Sequence, residues 1–426
     1  MSIKALKGFK DILPGEVEIW QRIEGTARDI FHRFGFAEIK VPILEKTELF
    51  ARSIGEATDI VEKEMYSFAD RNGKSLTMRP EGTAAVLRAF IEHNLQAKLP
   101  VQKLYTVGPM FRHERPQKGR LRQFHQLSCE VLGSDLPRLD AEVIAMAWLL
   151  INELGIKVSL EINSLGCPKC RPVFKDTLVK FLDDRAGKLC DDCERRRHTN
   201  PLRVLDCKSA HCQEQYVDAP SILDHLCDDC EEHFTTVKKS LEQLEIPYKV
   251  NSFMVRGLDY YNRTTFELIT DALGAQSAVG AGGRYDGLIE QLGGPKLPGI
   301  GFAMGMERLV LLIQQQEEEA TGPASDLFIA ALGEEAQKLA FPLLHALRKN
   351  GLRAGMDIEG RSLKSQMKQA GRANAEFTLI IGEEELTNKI AILRNMSTRE
   401  QEEIPFPENL AEWHEKLAVK TKITQC

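Results

Sequence analysis

Two strands and a basic turn are written into Phe111-Arg-His-Glu-Arg-Pro-Gln-Lys-Gly-Arg-Leu-Arg-Gln-Phe-His-Gln-Leu-Ser-Cys-Glu130. Leu104–Arg112 and Leu121–Leu132 read as long strands, and the polar run His113–Arg120 joins them. Residues two apart on a strand share a face. Arg122, Phe124, Gln126, Ser128 and Glu130 therefore line one side, and His125, Leu127, Cys129 and Val131 the other, mostly apolar one. Antiparallel pairing brings Arg112 beside the polar row. Such a face suits a ligand with an anion, a flat ring and a cationic group. Arginine forks phosphate or carboxylate, a phenyl ring stacks on a base, and Glu130 accepts an ammonium. The plain alternative is a solvated strand face with an incidental phenylalanine.

Other segments weigh against that alternative. Arg79-Pro-Glu-Gly-Thr83 precedes a helix beginning near Ala84, so Thr83 lies where backbone donors attract anions. A capped helix start gives the same pattern. Arg256-Gly-Leu-Asp-Tyr-Tyr261 joins an arginine to two adjacent tyrosines. Gly280-Ala-Gly-Gly-Arg-Tyr-Asp-Gly287 is glycine-rich, but it lacks the GxGxxG and GxxxxGK[ST] spacings of a dinucleotide fingerprint or a P-loop. Gly299–Arg308 puts Arg308 in the first turn of a helix, where a cation opposes the dipole and calls for an anion.

Around these segments, apolar spacing predicts a helix over Glu16–Phe34, closed by Gly35, and a strand over Phe36–Val41 limited by Pro42. Met65–Phe68 and Lys74–Met78 flank a hairpin turn at Asp70–Gly73. A helix is expected over Leu139–Leu154, and strands at Val158–Ile162, Thr264–Thr270, Gln276–Ala281 and Ile300–Ala303. Met306–Gln315 reads as a helix and Gln314–Ser325 as a linker. Beyond it, strands Asp326–Leu332, Leu352–Met356 and Phe377–Ile381 alternate with helices Glu334–Lys349 and Ser362–Arg372. That alternation indicates a small α/β domain with a mainly parallel sheet.

The chain has 426 residues, of which 43% are hydrophobic and 28% charged, an ordinary globular composition. The length allows roughly two to four domains. The longest apolar run, Val143–Ile151, is far short of the roughly 20 residues of a membrane helix. The start, MSIKALKGFKDILPGE, lacks the apolar core of a secretory signal, so a cytoplasmic protein without a membrane partner is expected. A net charge of −6 argues against a nucleic-acid-coating protein. The sum hides local basic groups: Arg112–Arg122, the Arg195-Arg-Arg197 run, and Arg361, Lys364, Lys368 and Arg372 at the spacing of one helix face.

From Gly166 to about Cys230 the long periodicities thin out, as in an insertion between two parts of one sheet domain. Eight of the ten cysteines lie there, paired as Cys167/Cys170, Cys190/Cys193, Cys207/Cys212 and Cys227/Cys230. Three pairs have the C-x-x-C spacing of a zinc knuckle. Four pairs make two structural Zn2+ sites in any of three matchings; the alternative is free thiols in an insertion that folds without metal.

Together these segments resemble class II aminoacyl-tRNA synthetases, and among them the histidyl-tRNA synthetase family, over essentially the whole chain. Pro42 looks like the dimer-supporting motif 1, Phe111-Arg-His-Glu through Glu130 like motif 2, and Gly299-Ile-Gly-Phe-Ala-Met-Gly-Met-Glu-Arg308 like motif 3. Arg256-Gly-Leu-Asp-Tyr-Tyr261 and Ala281-Gly-Gly-Arg-Tyr-Asp-Gly287 resemble the histidine-specific signatures. The resemblance implies an α+β catalytic domain over 1–325, an antiparallel sheet flanked by helices, with the cysteine-rich insertion at about 166–232. It implies an α/β anticodon-binding-like domain over 326–426, a homodimer, and three substrates: L-histidine, ATP with Mg2+, and histidine tRNA.

By the same resemblance, histidine is held by Glu81, Gly82, Thr83, Gln126, Glu130, Arg256, Tyr260, Tyr261 and Tyr285. ATP is held by Arg112, Glu114, Arg120, Phe124 and Arg308, with Arg256 and Arg112 as the catalytic cations at the α-phosphate. The resemblance does not account for the cysteines. A synthetase-like regulatory subunit without charging activity is the rival within the family. Such relatives typically lose the motif arginines and the anticodon domain; here Arg112, Arg256 and Arg308 are all present, and so is an α/β C-terminal domain.

Overall fold

The computed structural model describes residues 3–55, 58–207, 209–273, 278–316 and 325–407, with Asn409, Glu412, Trp413, Lys416 and Leu417. The chain folds into two compact units, Met1–Glu318 and Glu319–Cys426.

In the first unit the strands are β1 (Ala37–Glu38), β2 (Leu44–Lys46), β3 (Tyr66–Ala69), β4 (Ser75–Met78), β5 (Gln102–Phe111), β6 (Gln123–Leu132), β7 (Ser159–Ser164), β8 (Lys249–Val250), β9 (Asn262–Ile269), β10 (Ala278–Arg284) and β11 (Gly299–Gly305). Eight of them form one sheet in the order β1-β5-β6-β11-β10-β9-β7-β8. Its six central strands are antiparallel, and β1 and β8 join the edges in parallel. β2, β4 and β3 make a separate small antiparallel sheet. The buried Arg79 links the two sheets, donating to Val41 O at 3.0 Å and Pro109 O at 2.9 Å.

The long hairpin forms as its alternation requires, with Phe111 opposite Gln123 and Gln102 opposite Leu132. Leu127, Cys129 and Val131 point into the core, where they meet Ile23, Ala27, Ile30 and Phe31 of the helix Val17–Arg33 and the apolar face of the helix Pro137–Glu153. Each such buried Leu, Ile or Phe contributes about 1.5–3 kcal/mol. The strand expected over Phe36–Val41 shrinks to Ala37–Glu38, plus one further bond from Ile39 N to Tyr105 O. Pro42 has no donor and restricts Val41, which ends the pairing.

The glycine-rich segment is part of the sheet. β10 continues through Gly280, Gly282 and Gly283 to Arg284, beyond the expected end at Ala281; Gln276 and Ser277 lie outside the described residues. Arg284 is fully buried and forks Asp140 of the helix Pro137–Glu153 at 2.6 and 3.0 Å, which ties helix to sheet.

The insertion has its own small core, in which Phe174, Leu178 and Leu182 of the helix Cys170–Asp183 meet Leu205, Tyr216 and Ile222. The helix Asp228–Gln243 then returns Phe234, Val237 and Leu241 to the main core.

In the second unit β12 (Ser325–Ala331), β13 (Ala354–Met356), β14 (Ala375–Ile381), β15 (Ile390–Asn395) and β16 (Gln401–Pro405) form a sheet in the order β13-β12-β14-β15-β16. The first three are parallel as expected, but β15 and β16 add an antiparallel hairpin that the helix–strand alternation did not announce. The sheet is therefore mixed rather than mainly parallel.

Candidate active site

On the face of β6 opposite the core, Phe124, Gln126, Ser128 and Glu130 line a cavity of about 260 Å³. The register sets Gly301 and Ala303 of β11 beside Glu130 and Ser128, then Ala281 of β10 and Glu267 of β9 in the next positions of the row. Small residues in the two middle strands keep this floor low. A Cβ on Gly301 would stand 2.1 Å from Glu130 Oε2 and 2.3 Å from Cys129 O, so the carboxylate fits only over glycine.

One group of side chains gathers around Glu130, which is 2% exposed. Thr83 Oγ1 donates to it at 2.6 Å, and the Tyr285 hydroxyl donates to its other oxygen. Burial outweighs both bonds and pushes the carboxyl up to about 8. Glu81 is also buried, and burial raises its pKa. Its carboxylate accepts from Thr83 N at 2.7 Å and Ala84 N at 2.9 Å, capping the helix Thr83–Glu92. Those donors are taken by the chain itself, which corrects the expectation that they attract an external anion. Tyr260 packs against Tyr261 at 4.7 Å with the rings tilted by 45°, and meets Tyr285 edge-on at 5.7 Å.

A second group is cationic. Arg112 donates to Pro80 O at 2.8 Å and stands 5.3 Å from the centre of the Phe124 ring. Arg120 pairs with Glu114, and Arg308 donates to Ala278 O. The Arg308 pKa is lowered, first by burial and then by the charge of Arg120. Arg256 pairs with Glu267 and stands 5.4 Å from the Tyr261 ring centre. Arg256 Nε, Gln126 Oε1 and Ser128 Oγ are buried without a hydrogen-bond partner among the described residues. Orphaned polar atoms around one cavity mark where ligand atoms belong.

Every residue expected to hold histidine or ATP lines this cavity except Tyr285, which lies beneath it, 1% exposed, and reaches it through Glu130. Arg122, expected on the same face, is turned away and donates to Glu114 O at 3.1 Å. Glu267 was missed, although a lone acid in the strand pattern Thr264–Thr270 was a usable signal. So was Glu307, whose carboxylate accepts from His125 N at 3.0 Å.

Arg195, Arg196 and Arg197 form ion pairs with Asp192 at 3.3 Å, Asp59 at 3.1 Å and Glu194 at 3.0 Å, and Arg195 keeps 54% of its side chain exposed. Arg361 precedes the helix Leu363–Arg372 and pairs with Asp357 at 3.3 Å. The basic face of that helix therefore consists of Lys364, Lys368 and Arg372, all exposed.

The structure selects one matching of the cysteines: Cys167, Cys170, Cys227 and Cys230 in one cluster, and Cys190, Cys193, Cys207 and Cys212 in the other, each with its sulfurs within 4.8 Å of one another. Cys167 Sγ lies 3.7 Å from Cys170 Sγ and 3.8 Å from Cys227 Sγ, and Cys190 Sγ lies 3.9 Å from Cys207 Sγ. The edge of a tetrahedron of thiolates around Zn2+, with Zn–S of about 2.3 Å, is about 3.8 Å. A disulfide needs about 2.05 Å. Backbone N–H groups of Cys227 and Cys190 donate to Cys170 Sγ and Cys212 Sγ, each at 3.2 Å, as the outer shell of such a site requires.

The family model described as histidyl-tRNA synthetase matches residues 8–309, and that of an anticodon binding domain matches 326–416. The chain is 63% identical over 405 residues to a histidine–tRNA ligase of Desulfotalea psychrophila, covering 95% of this chain and 94% of that one. It is 59% identical over 411 residues to one from Geobacter sulfurreducens, covering 96% and 99%. The crystal structure of apo S. aureus histidyl-tRNA synthetase superposes with a TM-score of 0.80 at 39% identity, covering 97% of this chain and all of that one.

Proposed function

We infer that this chain, which belongs to the histidyl-tRNA synthetase family, activates histidine in the cavity over β6. Its reaction is the ATP-dependent ligation of histidine to its tRNA. In our assignment Glu130 takes the ammonium of histidine, while Glu81, Gly82, Thr83, Gln126, Tyr260 and Tyr261 enclose the amino acid. Tyr285 positions Glu130 from below. The adenine stacks on Phe124, beside Arg112, Glu114 and Arg120, and Arg308 holds the γ-phosphate.

Histidine carboxylate attacks the α-phosphorus, the α–β phosphoanhydride bond breaks, and pyrophosphate leaves with the charge. No protein nucleophile is needed; positioning and cations carry the step. Arg112 and Arg256 supply those cations at the α-phosphate, and magnesium enters with ATP on its phosphate oxygens. The histidyl group then passes to the terminal ribose of tRNA.

The observation that carries this assignment is the pairing of a buried ammonium acceptor, Glu130, with four arginines lining the same cavity. Arg256→Ala, made together with Glu267→Gln so that no lone carboxylate is buried, should lower histidine-dependent pyrophosphate exchange by at least about 10²-fold. Histidine binding by calorimetry should stay within severalfold. Exchange near the wild-type rate would refute the role of Arg256.

Further parts of the proposal concern the whole protein. The catalytic domain spans 1–325 with the insertion at about 166–232, and the 326–426 domain reads the anticodon. Each cysteine cluster holds one structural zinc ion. A homodimer forms next to Pro42, where Ile43 and the small-sheet residues Leu44 and Phe68 leave apolar surface exposed. The protein works in the cytoplasm; among the described residues no helix is long and apolar enough to cross a membrane.

A further inference from the structure

The loop Arg256–Tyr261 brings a catalytic cation and two tyrosines into the cavity, yet no regular element holds it. Its backbone is held from the insertion. Arg203 Nη1 donates to Arg256 O at 3.1 Å. Asn200 Nδ2 donates to Asp259 Oδ1 at 3.1 Å. Arg171 forks the other end, donating to Tyr261 O and, at 3.2 Å, to Leu165 O. Leu202 adds to the contact by packing against the buried cluster that contains Val255 and Tyr261.

Each of these residues lies beside or between the cysteines of a cluster. Arg171 directly follows Cys170 in the first turn of its helix, and Cys167 and Cys170 meet Cys227 and Cys230 across the neck of the insertion. Gly166, at φ +62°, lets the chain turn onto Cys170, whose Cβ would stand 2.8 Å from any side chain there. Asn200, Leu202 and Arg203 lie between Cys193 and Cys207 of the second cluster, on and before the short turn Pro201–Val204. The insertion's own core is small, and small cores depend on staples such as metals.

Resting on the assignment of the clusters as zinc sites, we propose that the insertion is a metal-stapled clamp. One tetrathiolate site fixes Arg171 on the Tyr261 carbonyl, the other fixes Asn200 and Arg203 on Asp259 and the Arg256 carbonyl, and together they set the shape of the histidine pocket. Arg171, Asn200 and Arg203 are thus positioning residues; they do not line the cavity over β6. No bond is made or broken in this role.

The test joins metal analysis of the purified full chain to steady-state pyrophosphate exchange. About two zinc ions per chain are expected, one for each four-sulfur cluster. Arg171→Ala and Arg203→Ala should keep both ions and near-wild-type melting. Each should raise KM for histidine about tenfold or more, because misplacement is felt at the loop; in Arg171→Ala, on the Tyr261 side, KM for ATP should stay within about twofold. Arg171→Lys, which restores a donor, should recover part of the loss. Stripping zinc from wild-type protein with a chelator should raise KM for histidine in the same way, and added zinc should reverse it.

The outcomes separate the two claims. Iron in place of zinc, or well under one zinc per chain, overturns the metal assignment whatever the arginine variants do. Two zinc ions with unchanged KM for histidine in both arginine variants overturns the clamp and leaves the zinc sites standing. In Arg171→Ala, which acts on the histidine side, a rise in KM for ATP equal to that for histidine also overturns it, since that is the mark of general loosening.

Discussion

Glu130 shows how a single residue trades stability for function. Its ordinary carboxyl pKa of 4.5 is pushed up to about 8, chiefly by burial. Between those values the folded protein keeps a proton that the unfolded chain has released, so stability falls as pH rises from about 4.5 to 8 and is level above that. Glu130→Gln keeps the shape, accepting from one of the Thr83 and Tyr285 hydroxyls and donating its amide N–H to the other, but it cannot titrate. The difference in melting temperature between variant and wild type should therefore move in the variant's favour as pH rises through this window. Histidine-dependent pyrophosphate exchange should be lost at the same time, for want of a charge to meet the ammonium. Equal pH slopes for the two proteins would show that Glu130 is already ionised in the free enzyme. In the wild type, histidine binding should tighten toward pH 8, because the incoming ammonium displaces that proton.

Among the elements, the Pro137–Glu153 helix and β10 are joined by the fully buried Asp140–Arg284 pair. Stranding one charge of such a pair costs about 3–5 kcal/mol, but Arg284 keeps a second carboxylate, Asp286, at 3.1 Å. Asp140→Asn should therefore destabilise the protein by less than that amount in urea unfolding, and by more than about 1 kcal/mol. Loss within about 0.5 kcal/mol would mean that water reaches Arg284 in place of the carboxylate. This pair also marks the limit of what spacing alone reveals. β6 was legible because its period-two alternation separates Gln126, Ser128 and Glu130 from Leu127, Cys129 and Val131. The opposing strands were less so. Gly282 and Gly283 lie beyond the strand expected to end at Ala281, and only the facing strands explain them: a Cβ on Gly282 would stand 2.3 Å from Gly301 O of β11, and one on Gly283 2.6 Å from Thr264 O of β9. The buried role of Arg284 was hidden because Asp140 lies 144 residues away in the chain. The pairing of the four cysteine doublets was hidden for the same reason, since spacing specifies knuckles and only tertiary structure matches them.

For the molecule as a whole, the net charge of −6 conceals where a polyanion is met. In the first unit the basic residues of the β5–β6 turn are partly engaged, Arg120 with Glu114 and Arg122 with the Glu114 carbonyl. In the second unit Lys364, Lys368 and Arg372 form an exposed row on the helix Leu363–Arg372, whose other face buries Gln366 and Ala370. A row of this kind is often merely solvated. Here it belongs to a unit that matches an anticodon binding domain, so contact with RNA phosphates is the sharper expectation. Replacing all three residues with glutamate should raise KM for tRNA in aminoacylation and leave pyrophosphate exchange, which needs no tRNA, unchanged. Each lost phosphate contact should also flatten the dependence of log K on log salt by about 0.7. If KM for tRNA and its salt slope both stay at wild-type values, this helix faces solvent, and the RNA contacts of the second unit must come from another of its surfaces.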